Sequence, residues 1–212
     1  MLKGVIIMKM KKILAVVMAV LMMTLCFAGC GGNEKSDMDY VKEKGTLVVG
    51  ITDFKPMDYE DGEGNWIGFD ADLAKLFAEY LGVKVEFIEI DWNYKITELD
   101  SKTIDCVWNG MTLTDEVKAG MSCSEPYCTN AQVIVVPADK AEQYATADAC
   151  KDLMFAVEKG SAGKEQAEAN NFKFTEVQDQ ATALAEVAAG TCDAAIIDLL
   201  MAGAMIGGGT GY

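Results

Sequence analysis

The sequence predicts an α/β protein with mainly parallel sheets. Three observations point there. Runs of β-branched and apolar residues alternate with helical patterns from Thr46 to Ile206. The chain has 212 residues, 51% apolar and 24% charged, enough for one large or two small domains with real cores. And a helix followed by Lys102-Thr103-Ile104-Asp105 and a strand is echoed by a helix followed by Gly190-Thr191-Cys192-Asp193 and a strand. Two lobes of similar plan explain the echo, and so does chance similarity between two such turns.

Residues 46–51 are a β-rich run. Phe69, Leu73, Leu76, Phe77, Tyr80 and Leu81 recur at helical spacing, and Gly82 follows as a stop. Residues 83–90 alternate like a strand, 94–102 read as a short helix and 104–108 as a strand. Residues 132–136 are apolar and β-branched, and Pro137 ends them. Residues 153–157 are a further strand. Good helix formers fill 161–170. Then come a strand at 172–177, a helix at 180–189, a strand at 194–197 and a helical run at 199–206. The predicted boundary is at Pro137, with lobe one at 45–136 and lobe two at 137–212.

Charge and composition exclude several functions. There are 33 acids against 18 cations, every cation is Lys, and there is no His or Arg. A formal charge of −15 argues against a nucleic-acid partner. Without His there is no Ser-His-Asp triad and no His-containing zinc site. Without Arg there is no bidentate fork for carboxylates or phosphates. No CxxC occurs, so no metal and no cofactor is expected.

The N-terminus reads as an export signal. Lys9, Lys11 and Lys12 precede the uncharged residues 13–28, a length that suits a signal-peptide core better than a membrane span. Residues 1–29 are assigned to the signal. Ala28-Gly29-Cys30 resembles a bacterial lipobox, which implies acylation of Cys30. Residues 30–44 then read as a lipidated tether. Losing residues 1–29 removes four Lys and no acid, leaving 14 Lys against 33 acids and a charge of −19. Export permits disulfides among Cys106, Cys123, Cys128, Cys150 and Cys192. Cys123 with Cys128 and Cys150 with Cys192 are the candidates, unless all five are small buried hydrophobes.

Four stretches together resemble the polar amino-acid solute-binding proteins of ABC transporters, solute-binding family 3. They are Gly45-Thr46-Leu47-Val48-Val49-Gly50 with Lys55-Pro56-Met57; Gly68-Phe69-Asp70-Ala71-Asp72-Leu73; Asp105 to Thr114 with Ser124-Glu125-Pro126-Tyr127; and Asp193-Ala194-Ala195-Ile196-Ile197-Asp198. The resemblance implies a type 2 periplasmic-binding fold, with two lobes, mixed or parallel sheets and a ligand cleft between them. It also implies a C-terminal return to lobe one. On that expectation the chain is truncated after Tyr212 and lobe one is incomplete.

Carried over by position, Gly110 and Thr112 would meet a ligand carboxylate, with Ser161 at a helix N-terminus. Ser161 also fits a plain helix cap. Asp198 would pair with the ligand ammonium, or cap the next helix. Phe54, Trp92 and Trp108 are candidates for the cleft wall, and equally for core. Asp53 would select a cationic side chain, or sit in an exposed turn. Asp70 and Asp72 read as framework acids. The family's Thr-x-x-Arg carboxylate anchor is broken, because Val117 stands at the Arg position.

The implied function is a monomeric receptor, lipid-anchored on the outer face of the cell membrane. It would bind an amino acid or similar small polar solute and pass it to an ABC permease, without chemistry. The alternatives are an exported dehydratase on the same fold, a sensing module, and a truncated non-functional product.

Overall fold

The computed structural model describes residues 35–207. The expected signal, Cys30 and the last five residues lie outside them. Among the described residues, 41–207 form one compact unit, separate from 35–40. The two lobes belong to the former.

In lobe one, β1 (Thr46–Ile51) lies between β4 (Lys84–Glu89) and β5 (Cys106–Val107), parallel to both. Its side chains alternate with the period of two that a strand imposes. Leu47, Val49 and Ile51 pack with Ala74 and Ala78 of α2 (Phe69–Leu81). Val48 joins Ile90, Trp92 and Ile104 on the opposite face. A two-stranded hairpin, β2 (Tyr59–Glu60) with β3 (Trp66–Ile67), precedes α2. Neither strand has enough residues to show a period in sequence.

Part of the expected tether is ordered. Residues Asp37–Lys44 form a helix, α1. Asp37 and Asp39 lie in its first turn and Lys42 and Lys44 in its last, which complements the helix dipole. Val41 is buried with Leu47 and Val49. Lys44 Nζ reaches Asp105 at 2.6 Å.

Lobe two holds a four-stranded sheet in the order β6 (Gln132–Val135), β9 (Ala194–Asp198), β7 (Met154–Glu158), β8 (Lys173–Val177). All neighbours are parallel except β6, which runs antiparallel to β9. Residues 132–136 therefore belong to lobe two. The boundary at Pro137 is corrected to before Gln132, because β6 finds its hydrogen bonds on β9, 60 to 66 residues away in sequence. One face of the sheet packs on Ala183, Leu184 and Val187 of α6 (Gln180–Ala189). The other packs on Ala167 of α5 (Ala162–Ala169).

The sequence echo is structural. Asp105 donates its backbone N–H to Val48 O at 2.8 Å, and its carboxylate accepts from Val48 N at 2.7 Å. Asp193 makes the same two bonds with Met154, each at 2.9 Å. Each aspartate clasps the backbone of the neighbouring strand just before its own strand begins.

The five cysteines among the described residues are free thiols. Cys150 and Cys192 lie in different core clusters, on α5's and α6's faces of the sheet. The expected pairing between them is absent, and so is that of Cys123 with Cys128.

Candidate functional site

Strand ends from both lobes converge on one cleft, as the carboxyl ends of strands do in open α/β sheets. Lobe one brings Phe54 after β1, and Gly110 and Thr112 after β5. Lobe two brings Glu158 from the end of β7, Ser161 after it, and Asp198 from the end of β9.

On the lobe-one side, Asn109 and Thr52 fix the floor. Asn109 Nδ2 donates to Thr52 Oγ1 at 2.8 Å, and Thr52 N donates to Asn109 Oδ1 at 3.2 Å. Both residues are buried. Gly110 follows against the Phe54 ring, where an added Cβ would stand 2.1 Å from a ring carbon. No larger residue fits without moving Phe54. Phe54 also packs with Met57 and with Met201 of α7 (Leu199–Met205), so it joins the two lobes as well as lining the cleft.

Trp92 is buried in the cleft wall, in the short 3-10 turn Trp92–Tyr94. Lys95 begins α3 (Lys95–Asp100) and is only 4% exposed. Its Nζ sits 5.0 Å from the centre of the Trp92 indole, a cation–π arrangement. It donates to Trp92 O at 3.2 Å and to Gly160 O, in lobe two, at 2.9 Å. Gly160 has φ of +64°, and an added Cβ would be 2.9 Å from Asn93 Cα. Glycine meets both demands, of backbone and of space.

Ser161 caps α5, its Oγ accepting from Lys164 N at 3.2 Å. It is both the plain cap and a buried cleft residue. Val117 lies in the first turn of α4 (Asp115–Gly120), which Thr114 caps, and it is buried at the cleft edge. The position where the family pattern places Arg is thus apolar. Lys118 is exposed on another face of α4.

Asp198 is held by four side chains. It precedes α7, yet its side chain makes no capping bond. Its carboxylate instead accepts from Asn130 Nδ2, Gln132 Nε2, Gln180 Nε2 and Thr112 Oγ1. Thr112 reaches it from lobe one at 3.5 Å. Gln180 locks the arrangement, because its Oε1 also accepts from Asp198 N at 2.9 Å. Burial pushes the Asp198 pKa up, and the four hydrogen bonds pull it back. Gln180 Nε2 also lies 3.3 Å from Glu158 Oε2. Burial, followed by the nearby Asp198 and Asp179, pushes Glu158 up to about 8, against the pull of Gln180 and Lys95.

Six of the eight expected ligand-site residues line this cleft: Phe54, Trp92, Gly110, Thr112, Ser161 and Asp198. Asp53 and Trp108 do not. Asp53 is half-buried outside the lining, among Lys55, Glu60 and Asp179. Trp108 packs edge-on against Phe77, with ring centres 5.7 Å apart, in the lobe-one core. Just past β5, Trp108 continues its alternation and falls on the side of Cys106, opposite Val107. Lys95, Glu158 and Gln180 were missed. Glu158 was signalled only as an acid ending an apolar strand, and Gln180 as the residue after a helix cap.

The model of the bacterial extracellular solute-binding proteins, family 3, matches residues 47–189. This chain belongs to that family. The arginine-binding extracellular protein ArtP of Bacillus subtilis (strain 168) is 34% identical over 201 residues, 91% of this chain and 75% of the relative. The L-cystine-binding protein TcyJ of Escherichia coli (strain K12) is 30% identical over 168 residues, 78% of this chain and 63% of the relative. Among solved structures, the ancestral amino acid-binding protein AncCDT-1, a precursor of cyclohexadienyl dehydratase, superposes with a TM-score of 0.76 at 35% identity. That match covers 80% of this chain and 77% of the other. The fold is thus the bilobed α/β fold of these binding proteins. Among the described residues no helix is long and apolar enough to cross a membrane.

Proposed function

We propose that this family member is an extracytoplasmic receptor that closes on an amino acid and delivers it to an ABC importer. The observation that carries the reading is Asp198. It is a buried carboxylate at the cleft, held by neutral donors from both lobes, with no cation in an ion pair with it among the described residues. A buried anion without a counter-charge is costly, and a ligand ammonium supplies one. An ionised hydrogen bond of this kind contributes about 1.5–3 kcal/mol. The cleft holds the acids Glu116, Glu158 and Asp198 against Lys95, and Glu116 with Asp198 outnumbers the cation even where Glu158 is neutral. That excess of acid favours an amino acid with a cationic side chain, in keeping with the arginine-binding relative.

Titration calorimetry of the purified protein against the amino acids tests this. Arginine, lysine or histidine should bind, and Asp198→Asn should weaken binding about 10-fold or more, the low end of that range. Absence of heat with every amino acid overturns it. The membrane anchor is a separate part of the proposal and rests on Ala28-Gly29-Cys30. Cys30→Ala should move the protein from the membrane fraction to the medium, and retention at the membrane would refute the anchor.

A second reading, a dehydratase, draws on Glu158. A carboxyl held at about 8 is protonated at neutral pH and suits a general acid. Gln180 and Asp198 crowd it, which equally fits an acid kept neutral beside another acid. Product formation from cyclohexadienyl acids separates the two readings.

A further inference from the structure

We propose that Lys95 is the specificity-determining cation of this cleft, the group that takes the ligand's carboxylate. The inference rests on the amino-acid reading above and extends it. The chain has no Arg, and Lys95 is the one cation among the residues that line the cleft. It is 4% exposed, and no described carboxylate pairs with its Nζ within 4.0 Å. An ammonium has three N–H donors. Two go to the carbonyls of Trp92 and Gly160, which leaves one for the cleft.

A buried cation whose partners are two carbonyls and an indole face, with no ion pair, is incompletely compensated. Burial accordingly lowers the Lys95 pKa, against the pull of Glu116, Glu158 and Glu165. A ligand carboxylate would restore the balance, as the ligand ammonium does for Asp198. The neighbours fit the same group. Gly160 leads into Ser161 and the N-terminus of α5, where Ala162 also lines the cleft. Helix N-termini favour anions. The independent observation is Lys95 itself, buried, lining the same cleft and bonded to Gly160 O next to Ser161. Val117, the nearest candidate for a charged anchor on α4, is apolar.

The placement has a mechanical consequence. Lys95 belongs to lobe one and Gly160 to lobe two. A carboxylate on Lys95 therefore lies at a point where the lobes already touch. Carboxylate recognition and the closed arrangement reinforce one another, because the ligand binds best where both lobes are present.

The test compares each amino acid with its decarboxylated amine in titration calorimetry: L-arginine with agmatine, and L-histidine with histamine. The wild-type protein should prefer the amino acid by about 10- to 200-fold, the worth of one charged hydrogen bond. Lys95→Met should remove most of that preference by weakening the amino acid, leaving the amine within about 3-fold. Lys95→Arg should restore preference. Lys95→Met also removes a buried charge that no ion pair compensates, so the empty variant should melt no lower than wild type. A fall in amino acid and amine affinity by the same factor would show a merely structural Lys95 and overturn the inference. If neither amino acid binds the wild-type protein, the amino-acid reading fails and takes this inference with it. If amino acids bind and the preference survives Lys95→Met, only the inference fails.

Discussion

Four of the five residues of β7 and all five of β9 are buried, whereas none of the six in β4 is. Both lobes begin from the same plan, down to the aspartate clasps at Asp105 and Asp193. Apolar clusters lie on both faces of each sheet, and the lobes differ in how many strands they bury. Lobe two has apolar clusters under α5 and α6 on both faces of its sheet. Lobe one is fully packed only around β1. The difference decides which lobe contributes which chemistry. Glu158 and Asp198 end buried strands, so their carboxyls are rigidly placed and desolvated. The lobe-one contacts Phe54, Gly110 and Thr112 come from segments after strands and supply shape and hydrogen bonds. Lys95 is the exception, a charge that lobe one buries by laying it against Trp92 and the other lobe.

The sharpest way to break that contrast is to truncate one apolar residue in each sheet. Ile197 in β9 is fully buried. Ile197→Ala should cost about 2–5 kcal/mol of unfolding free energy, through lost transfer energy and the cavity left behind. Val85 in β4 is half-buried on an edge strand. Val85→Ala should cost about 1 kcal/mol or less. Urea denaturation of the two variants gives both values. Equal losses would mean that lobe one is as tightly packed as lobe two.

The same contrast explains what was legible in the sequence. In lobe two the helix at 180–189 is legible, since its apolar spacing and the stop at Gly190 are local signals. In lobe one the large residues that revealed α2 are not the ones that bury it. Ala71, Ala74 and Ala78 face the interior, while Leu76 and Tyr80 are 60% and 84% exposed. Periodicity shows that a helix is present but does not choose between two apolar stripes, and small side chains let α2 approach the sheet. The partner of β6 is invisible in sequence because pairing across 60 residues or more leaves no local mark. Helix α4 is too short to show a period, although Thr114 caps it, its Oγ1 accepting from Val117 N at 3.3 Å. Six cleft residues were legible because they follow strand ends in recognisable motifs. Lys95 was not, because a lysine at a helix start reads as solvated, and its burial depends on Trp92 and on a carbonyl from the other lobe.

A gentler probe uses one buried acid from each lobe. Asp58 is wholly buried beside Asp70 in lobe one, and burial followed by Asp70's charge pushes it up from 3.8 to about 8. Glu158 in lobe two rises from 4.5 to about 8. Both folded pKa values exceed the unfolded ones, so the folded state holds more protons between them. Stability is then full below about pH 4, falls as pH rises, and levels off above about 8. The slope is about 1.4 kcal/mol per pH unit for each proton held. Melting curves of the empty protein from pH 4 to 9 should show the decline. Asp58→Asn and Glu158→Gln should each remove part of it, Asp58→Asn with the cleft left as it is. Arginine at saturating concentration separates the lobes further. It should flatten the part due to Glu158, whose ionised form a bound cation stabilises, and leave the part due to Asp58. If ligand flattened both equally, the acid pair of lobe one would be coupled to the cleft. The lobes would then differ less in electrostatics than in packing.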